Sequence, residues 1–233
     1  MMGKSHAAMG LAVGAGIGVA VFGLGSSTWL ISSVAVCGAA ILPDIDEPES
    51  SVSREFGILS RGFSAVVSKI SGGHRKLTHS LLGLVIATLV LLFLAAGREA
   101  SAVIFGLLAA SAWRIVFPWW LGLRRLFIPV GVVTGYIFYS SHPFSGPWLV
   151  AMVATGWVVH MLGDFLTNGG IPLLYPMRQR ESWPIFGTTG SKSESIFALC
   201  LLVMTVAAIG FWFYHYPQGN LIVLPPHIVS GVS

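Results

Sequence analysis

The sequence predicts an all-α, polytopic membrane protein, a bundle of about seven transmembrane helices, from three observations. Of 233 residues, 55% are hydrophobic and only 9% are charged, whereas an average soluble domain is about 25% charged. The mean hydropathy is +0.80. Apolar runs of the length needed to cross a bilayer, about 18 residues or more, recur along the chain. We therefore expect a single integral membrane domain over residues 1–233.

The positive charge of the chain has a membrane explanation. The formal net charge is +4 and the pI is near 9.3, values that would favour a nucleic-acid partner in a soluble protein. In membrane proteins, however, Lys and Arg accumulate in cytoplasmic loops. We therefore expect membrane lipids as partners and no nucleic acid. Cys37 and Cys200 lie in apolar runs and predict neither a disulfide nor a thiolate metal site.

Seven apolar segments are the predicted spans, and one amphipathic segment precedes the third. The fifth span is short and contains Pro129, so six spans are the alternative. Gly10, Gly14 and Gly18 are spaced by four in the first span, which predicts a seam for close helix packing. Residues 56–70 have helical apolar spacing and predict a helix on the membrane surface. The spans cover about residues 5–24, 28–43, 79–97, 100–117, 126–141, 148–167 and 195–216.

The distribution of basic residues predicts that the N-terminus is cytoplasmic. In that orientation Lys4, the 44–78 loop, the Arg124-Arg125 pair and the 168–194 loop all lie inside. They hold eleven of the 13 Lys and Arg residues, as the positive-inside rule requires. The opposite orientation would place nearly all the basic residues outside.

This orientation places an unusual set of polar residues at one membrane face. The chain has three Asp residues, and all three fall at predicted cytoplasmic span ends together with four of the seven His residues. Ionisable groups at membrane depth are costly unless they are paired or metal-bound. The set comprises His6, Asp44, Asp46, His74, His79, His160, Asp164 and Glu194.

The spacing and chemistry of these residues predict a metal site. His160 and Asp164 are four apart and share one face of a helix. Asp44 and Asp46 follow Pro43 at a helix end, where two carboxylates could meet one ion or bridge two. Imidazole and carboxylate together suit Zn²⁺, with Mn²⁺ or Fe²⁺ as alternatives, and one to three ions could bind.

Each group alone also has a structural explanation. Asp44 and Asp46 could cap a turn or pair with Arg75. His160 and Asp164 could form a hydrogen-bonded pair. Glu194 could be a first-turn carboxylate that the helix dipole favours. These explanations do not account for the convergence of the whole set on one face, which favours the metal site.

Several motifs carry a resemblance to a known family. They are Ser5-His6, the Leu42–Asp46 segment, and the stretches 73–80, 160–167, 170–176 and 190–194. In order and context they resemble the YdjM-like family, described as LexA-regulated, inner-membrane, predicted metal-dependent hydrolases. The resemblance implies a bacterial inner-membrane location. It also implies a distant relationship to zinc-dependent phospholipase C and P1 nuclease, and hence zinc ions that activate water against a phosphodiester. The chain departs from shorter members by an apparent extra pair of spans, the fourth and fifth.

The leading functional prediction is metal-assisted hydrolysis at the cytoplasmic face. The substrate would be a phosphoester or phosphodiester, either a phospholipid or a lipid-linked phosphate. Arg75, and as a second candidate Arg180, would steady the phosphate. Thr78 and Ser80 are expected to cap a helix or support the site rather than act as nucleophiles. The alternatives are a metal-binding membrane protein without turnover and a cation transporter. Expected metal ligands are His6, Asp44, His79, His160 and Asp164, with Asp46, His74 and Glu194 as further ligands, supporting groups or the general base; Glu194, Arg75 and Asp46 are the expected catalytic residues.

Overall fold

The computed structural model describes residues 1–23, 26, 28–140, 146–177 and 179–216, and these ranges form a helical bundle. No strand occurs in them, and the only extended pairing there is an isolated bridge between Ile171 and Glu181. Two 3₁₀ turns matter for the site, η1 (Leu42–Asp46) and η2 (Leu77–His79). The α-helices are α1 (Gly3–Phe22), α2 (Thr28–Ala39), α3 (Ile58–Ser71), α4 (Leu81–Leu94), α5 (Arg98–Val116), α6 (Phe127–Ser140), α7 (Gly146–Phe165) and α8 (Lys192–His215).

Every predicted span coincides with a helix, so the prediction of a helical membrane bundle is confirmed. Within the described ranges, five helical segments are long and apolar enough to cross a membrane: α1, Thr28–Asp46, α5, α7 and α8. Helices α4 and α6 have 14 residues each, fewer than the roughly 20 that a perpendicular crossing requires. The crossing count of seven and the cytoplasmic N-terminus therefore stay predictions.

Helix α2 forms the centre of the bundle. Ala35, Val36 and Ala39 have no exposed surface, and they pack with Phe105 and Leu108 of α5. Helix α2 also contacts α1 and α7. Small residues on α2 allow three neighbours to approach it closely, which fixes the position of η1 at its C-terminal end.

The glycines of α1 form the predicted seam against α2. A β-carbon on Gly10 would lie 2.7 Å from the Val36 carbonyl oxygen, and one on Gly14 would lie 2.6 Å from that of Ser32. On Gly18 a β-carbon would overlap Trp29. The prediction is confirmed, and close contact of the two backbones is the physical reason that this face of α1 holds glycine.

The proposed extra pair of spans corresponds to α5 and α6, which pack against each other through glycine. A β-carbon on Gly106 would lie 2.6 Å from the carbonyl oxygen of Gly131. Helix α5 is nevertheless part of the core, because Gly38 of α2 abuts the backbone of Leu108. Helix α3 is amphipathic as predicted, with Leu59, Phe63 and similar side chains largely exposed.

A buried carboxyl group fastens the loop between η1 and α3 to α5. Glu55 is 5% exposed and accepts a hydrogen bond from Ser111 Oγ at 2.7 Å. The Arg114 guanidinium donates to the Glu55 carbonyl oxygen at 3.0 Å. Burial raises the pKa of the Glu55 carboxyl from 4.5 to about 7, although Ser111, Arg114 and Arg124 oppose the shift. The loop that follows the Asp44 and Asp46 segment is thereby held to a core helix.

The seam makes a testable prediction about α1. Gly14→Leu should lower the free energy of unfolding by about 1–3 kcal/mol or more, because the side chain would force α1 away from α2. Gly16→Leu is the matched control, since a β-carbon on Gly16 meets nothing within 4 Å. Thermal unfolding in detergent measures both, and equal losses in the two variants would contradict the seam.

Glu55 predicts a pH dependence of stability. Because its pKa is higher in the folded protein, the folded state binds more protons between pH 4.5 and about 7, so this group lowers stability as the pH rises through that window. Each unit of pKa shift corresponds to about 1.4 kcal/mol. Glu55→Gln should remove this slope. The free energy of unfolding of the variant, compared with that of the wild type, should therefore be higher at pH 8 than at pH 4.5. Unfolding followed across this range would contradict the prediction if the two slopes were equal.

Candidate metal centre

Four helical elements, with His74 in the loop before η2, bring the predicted metal-site residues together at one end of the bundle. His6 comes from the first turns of α1, and Asp44 and Asp46 come from η1. His79 ends η2, and α7 contributes the remaining pair. Three overlapping groups each place their ligand atoms within 4.8 Å of one another. The groups are His6, His160 and Asp164; Asp44, His79 and His160; and Asp46, His74 and His79.

Four ligand atoms face a common point at the centre of these groups. His79 Nε2 lies 3.0 Å from His160 Nε2. Asp44 Oδ1 lies 3.6 Å from the first nitrogen and 3.5 Å from the second. Asp164 Oδ2 lies 3.7 and 4.0 Å from the same nitrogens. Two ligands of one tetrahedral zinc ion, each bound at about 2.0–2.2 Å, lie roughly 3.3–3.6 Å apart, and the separations of 3.0–4.0 Å found here bracket that range.

The hydrogen bonds behind the two imidazoles aim their lone pairs at this point. His160 Nδ1 lies 2.8 Å from the Ala40 carbonyl oxygen, which can only accept, so Nδ1 carries the proton. Thr78 Oγ1 donates to Asp46 and lies 2.9 Å from His79 Nδ1, which assigns the donor role to that nitrogen too. Both Nε2 atoms are then acceptors. Metal-binding histidines are held in this way by carbonyl or carboxylate partners.

His6 adds a buried imidazole without hydrogen-bond partners. Its side chain is completely buried, and neither ring nitrogen has a hydrogen bond. The ring stacks on His160 at 3.8 Å between centroids, and Nε2 lies 3.3 Å from Asp164 Oδ1. Gly163 permits this approach, since a β-carbon there would lie 2.8 Å from the His6 ring. An imidazole in such a position is explained if it binds a cation.

Asp46 supports the centre from behind. It is completely buried, and its carboxylate receives His74 Nδ1 at 2.7 Å, the Arg75 backbone N–H at 3.1 Å and the Thr78 hydroxyl. Of the roles predicted for Asp46, this arrangement favours orientation of His79 and His74 over direct metal binding. His74 is 34% exposed and faces the outside of the cluster.

Arg75 joins the two acidic sides of the cluster. Its Nε lies 2.9 Å from Asp164 Oδ2, and its Nη2 donates to Asp164 Oδ1 at 3.0 Å. The residue has φ = +56°, a conformation that costs a non-glycine residue free energy and persists only where surrounding contacts enforce it. The strain is compensated because the same backbone turn presents the amide to Asp46 and the guanidinium to Asp164.

Glu194 lies beside the cluster and holds its supports. It is completely buried, and its carboxylate accepts from the Met2 amide at 2.7 Å, from Ser5 Oγ at 2.6 Å and from the Gly190 amide at 2.8 Å. These bonds tie the start of α8 to the start of α1, next to His6. The geometry favours a positioning role over the predicted roles of ligand or general base. Arg180 is exposed.

Two supporting groups were not predicted from the sequence. The Ala40 carbonyl that fixes His160 gives no sequence signal, because it depends on how α2 meets α7. Trp157 donates from Nε1 to the Thr78 carbonyl oxygen at 2.8 Å. It precedes His160 by three positions on α7, so helical spacing could have identified it. The N-cap role predicted for Ser80 is confirmed, because its side chain accepts from the Gly83 amide.

A polar cavity leads from the protein surface to Asp44. Its volume is about 200 Å³, and Met2, Asp44, Ser51 and Arg54 are among its lining residues. Asp44 is 20% exposed, whereas Asp164 is 1% exposed. Water or a small polar group can therefore approach the cluster from the Asp44 side.

The donor set passes the tests that a metal centre must meet. Two imidazole nitrogens lie close to two carboxylate oxygens, and both His6 nitrogens are buried without hydrogen bonds. Four acceptors facing one another are stabilised by a cation between them. These features define a helical membrane protein whose buried His and Asp groups could hold a metal ion.

Comparison with known proteins gives the family. The chain belongs to the YdjM inner membrane protein family, whose sequence model matches residues 1–219. It is 27% identical over 176 residues to inner membrane protein YdjM of Escherichia coli (strain K12), and equally to that of Shigella flexneri. That match covers 75% of this chain but only 63% of either relative, less than two thirds of their length. No solved structure matches the chain.

A further relative matches over nearly its whole length. The uncharacterized protein YvsG of Bacillus subtilis (strain 168) is 26% identical over 221 residues, which is 95% of this chain and 99% of that protein. The predicted family is therefore confirmed. The names of the family and of the two YdjM relatives refer to the inner membrane, and none of these names assigns an activity.

Metal analysis tests the centre. Purified protein should contain a divalent metal, whereas His79→Ala and Asp164→Ala should retain at least tenfold less, because each variant removes a donor from the central four. Asp46→Asn should weaken metal binding about 10–100-fold, the usual effect of losing a partner behind a ligand. His215→Ala, at the exposed far end of α8, is the control. Equal metal content in all of these proteins would contradict the assignment.

Proposed function

We propose that this protein is a membrane-bound, metal-dependent hydrolase that cleaves a phosphoester or phosphodiester of a phospholipid or lipid-linked phosphate. The observation that carries the proposal is that the Nε2 atoms of His79 and His160 lie within 4.0 Å of carboxylate oxygens of both Asp44 and Asp164, next to a polar cavity on the Asp44 side. Zinc suits two nitrogen and two oxygen donors, with manganese or iron as alternatives. Hydrolysis takes place at the predicted cytoplasmic face.

A bound divalent ion would supply a water of lowered pKa and a Lewis acid for the phosphoryl oxygen. The chain's own residues do the rest. His74, partly exposed and paired with Asp46 at 2.7 Å, is positioned to take a proton from the attacking water. Asp46 holds the imidazole in the orientation that this transfer needs and stabilises its charged form. Arg75 lies between the carboxylates and the outside, where its guanidinium can pair with a phosphate oxygen.

A distant relationship to zinc-dependent phospholipase C and P1 nuclease fits this proposal. The sequence resemblance implies this relationship, and those enzymes use zinc ions to hydrolyse phosphodiesters. The present arrangement supports the same class of reaction through its mixture of imidazole and aspartate donors. In this proposal an all-helical membrane protein would carry out that chemistry.

Hydrolysis of a lipid panel tests the proposal. Metal-loaded protein should release phosphate or a phosphorylated head group from at least one phospholipid or lipid-linked phosphate. His74→Ala should reduce kcat at least tenfold while metal content stays near that of the wild type, because the residue acts on water from outside the central four. Arg75→Lys should mainly raise KM, since Lys keeps the charge but loses the planar fork.

The controls separate the rival functions. His215→Ala should behave as wild type in every assay. Full metal content with no turnover on any substrate of the panel would favour the non-catalytic metal-binding protein instead. Metal-dependent cation flux in proteoliposomes without hydrolysis would favour the transporter, which the grouping of the acidic and imidazole side chains at one end of the described bundle disfavours.

A further inference from the structure

A wide apolar groove lies between α3, α4 and α5, next to the metal centre. Its volume is about 650 Å³. Phe63 of α3, Val90 of α4 and Leu107 of α5 represent the three walls. Its lining includes three hydroxyl side chains and no charged side chain among the described residues. Such a groove is a site for an apolar ligand.

The groove and the metal centre share the five-residue turn η1. Leu42 and Ile45 of this turn line the groove. Asp44 and Asp46 of the same turn each belong to one of the three candidate ligand groups. A single short segment therefore separates an apolar compartment from the candidate catalytic groups. An occupant of the groove would lie directly against the backbone that carries both aspartates.

A second connection runs through Thr78. Thr78 lines the groove, and its hydroxyl donates to Asp46. Trp157, another lining residue, donates to the Thr78 carbonyl oxygen. The polar end of the groove is thus one hydrogen bond from the carboxylate that orients His74 and His79.

The groove also adjoins the polar cavity that reaches Asp44. Val52 lines both spaces, and Arg54 lies on the polar side. The neighbouring compartments suit an amphiphile, with an apolar chain on one side of the 51–56 segment and an anionic group on the other. Arg54, whose Nη1 lies 3.4 Å from Glu49 Oε2 in the same exposed cavity lining, supplies a cation there that a phosphate could take over from Glu49.

The dimensions and surroundings identify the kind of occupant. A helix with side chains is about 10–12 Å in diameter, so 650 Å³ would hold less than about two turns of one. A flexible chain needs no such width. Val90 and Leu107 are half exposed; α4 carries no charged residue, and those of α5 lie in its first and last turns, so the groove is open to the surrounding lipid.

We infer that this groove binds one acyl chain of a membrane phospholipid, which presents its phosphate to the metal centre. This inference rests on the proposed function for the role of the bound lipid as substrate. It narrows the substrate from a phospholipid or lipid-linked phosphate to a glycerophospholipid. The shared turn η1 then serves as the wall between the chain and the reacting head group.

Photocrosslinking tests the groove without requiring turnover. The probe is a phosphatidylglycerol with a diazirine on one acyl chain, added to the detergent-purified full-length protein. Val90→Trp and Leu107→Trp would fill the groove. Leu89→Trp is the control, because Leu89 lies on α4 next to Val90 but does not line the groove. Labelling of α3 and of the η1 segment should fall at least fivefold in the two filling variants and stay unchanged in the control.

The same variants separate this inference from the proposed function. With metal content equal to the wild type, the filling variants should lose at least tenfold in hydrolysis of long-chain phosphatidylglycerol but keep the hydrolysis of a small soluble phosphodiester. Unchanged labelling in both filling variants would overturn the groove assignment even if hydrolysis is found. Labelling that depends on the groove in a protein without any hydrolysis would overturn the proposed function and leave the lipid site standing. Stronger competition by undecaprenyl phosphate than by unlabelled phosphatidylglycerol would overturn the acyl-chain assignment.

Discussion

The structure depends on the meeting of four hydrogen-bond acceptors in a buried place. Two imidazole nitrogens 3.0 Å apart and two carboxylate oxygens repel one another, and burial strengthens that repulsion because the local dielectric is low. A cation between the four acceptors turns this net repulsion into a net attraction. The fold keeps this costly arrangement by packing α2, α5 and α7 tightly around it, since side chains of a loosely packed core would turn away from one another.

The hydrogen bonds around the cluster fix the orientation of each candidate metal ligand. The Ala40 carbonyl holds His160, Thr78 and Asp46 hold His79, and Arg75 holds Asp164. None of these partners competes for the Nε2 atoms at the centre. Preorganisation of this kind reduces the entropy lost when an ion or a substrate binds. It also explains why backbone strain at Arg75 is tolerated, since one residue satisfies two carboxylates.

Much of the fold and of the site could be predicted from sequence because it depends on local patterns. Apolar run length gave the seven helices, four-residue glycine spacing gave the face of α1 that meets α2, and the i, i+4 relation placed His160 and Asp164 together.

Other features depend on contacts between residues that are far apart in the sequence. The sequence did not show that Asp44 directly contacts the Nε2 atoms of His79 and His160. Nor did it show that Asp46, two residues later, instead supports the imidazoles from the other side. Glu194 lies at the start of α8 beside the cluster, yet its bonds go to Met2 and Ser5, and only packing of α8 on α1 determines that. Whether α4 and α6 cross the bilayer depends on tilt and neighbours, which 14 apolar residues alone do not define.

The order of the donors along the chain has a consequence for biogenesis. His6 lies on α1 and Asp164 lies on α7, so His6, Asp44 and His79 are synthesised long before His160 and Asp164. Until α7 is inserted, Asp44 and His79 lack the nitrogen and oxygen that complete their geometry. A metal ion held by this set would therefore be captured only after α7 docks against α2, and its capture would report that α1, η1, η2 and α7 have come together.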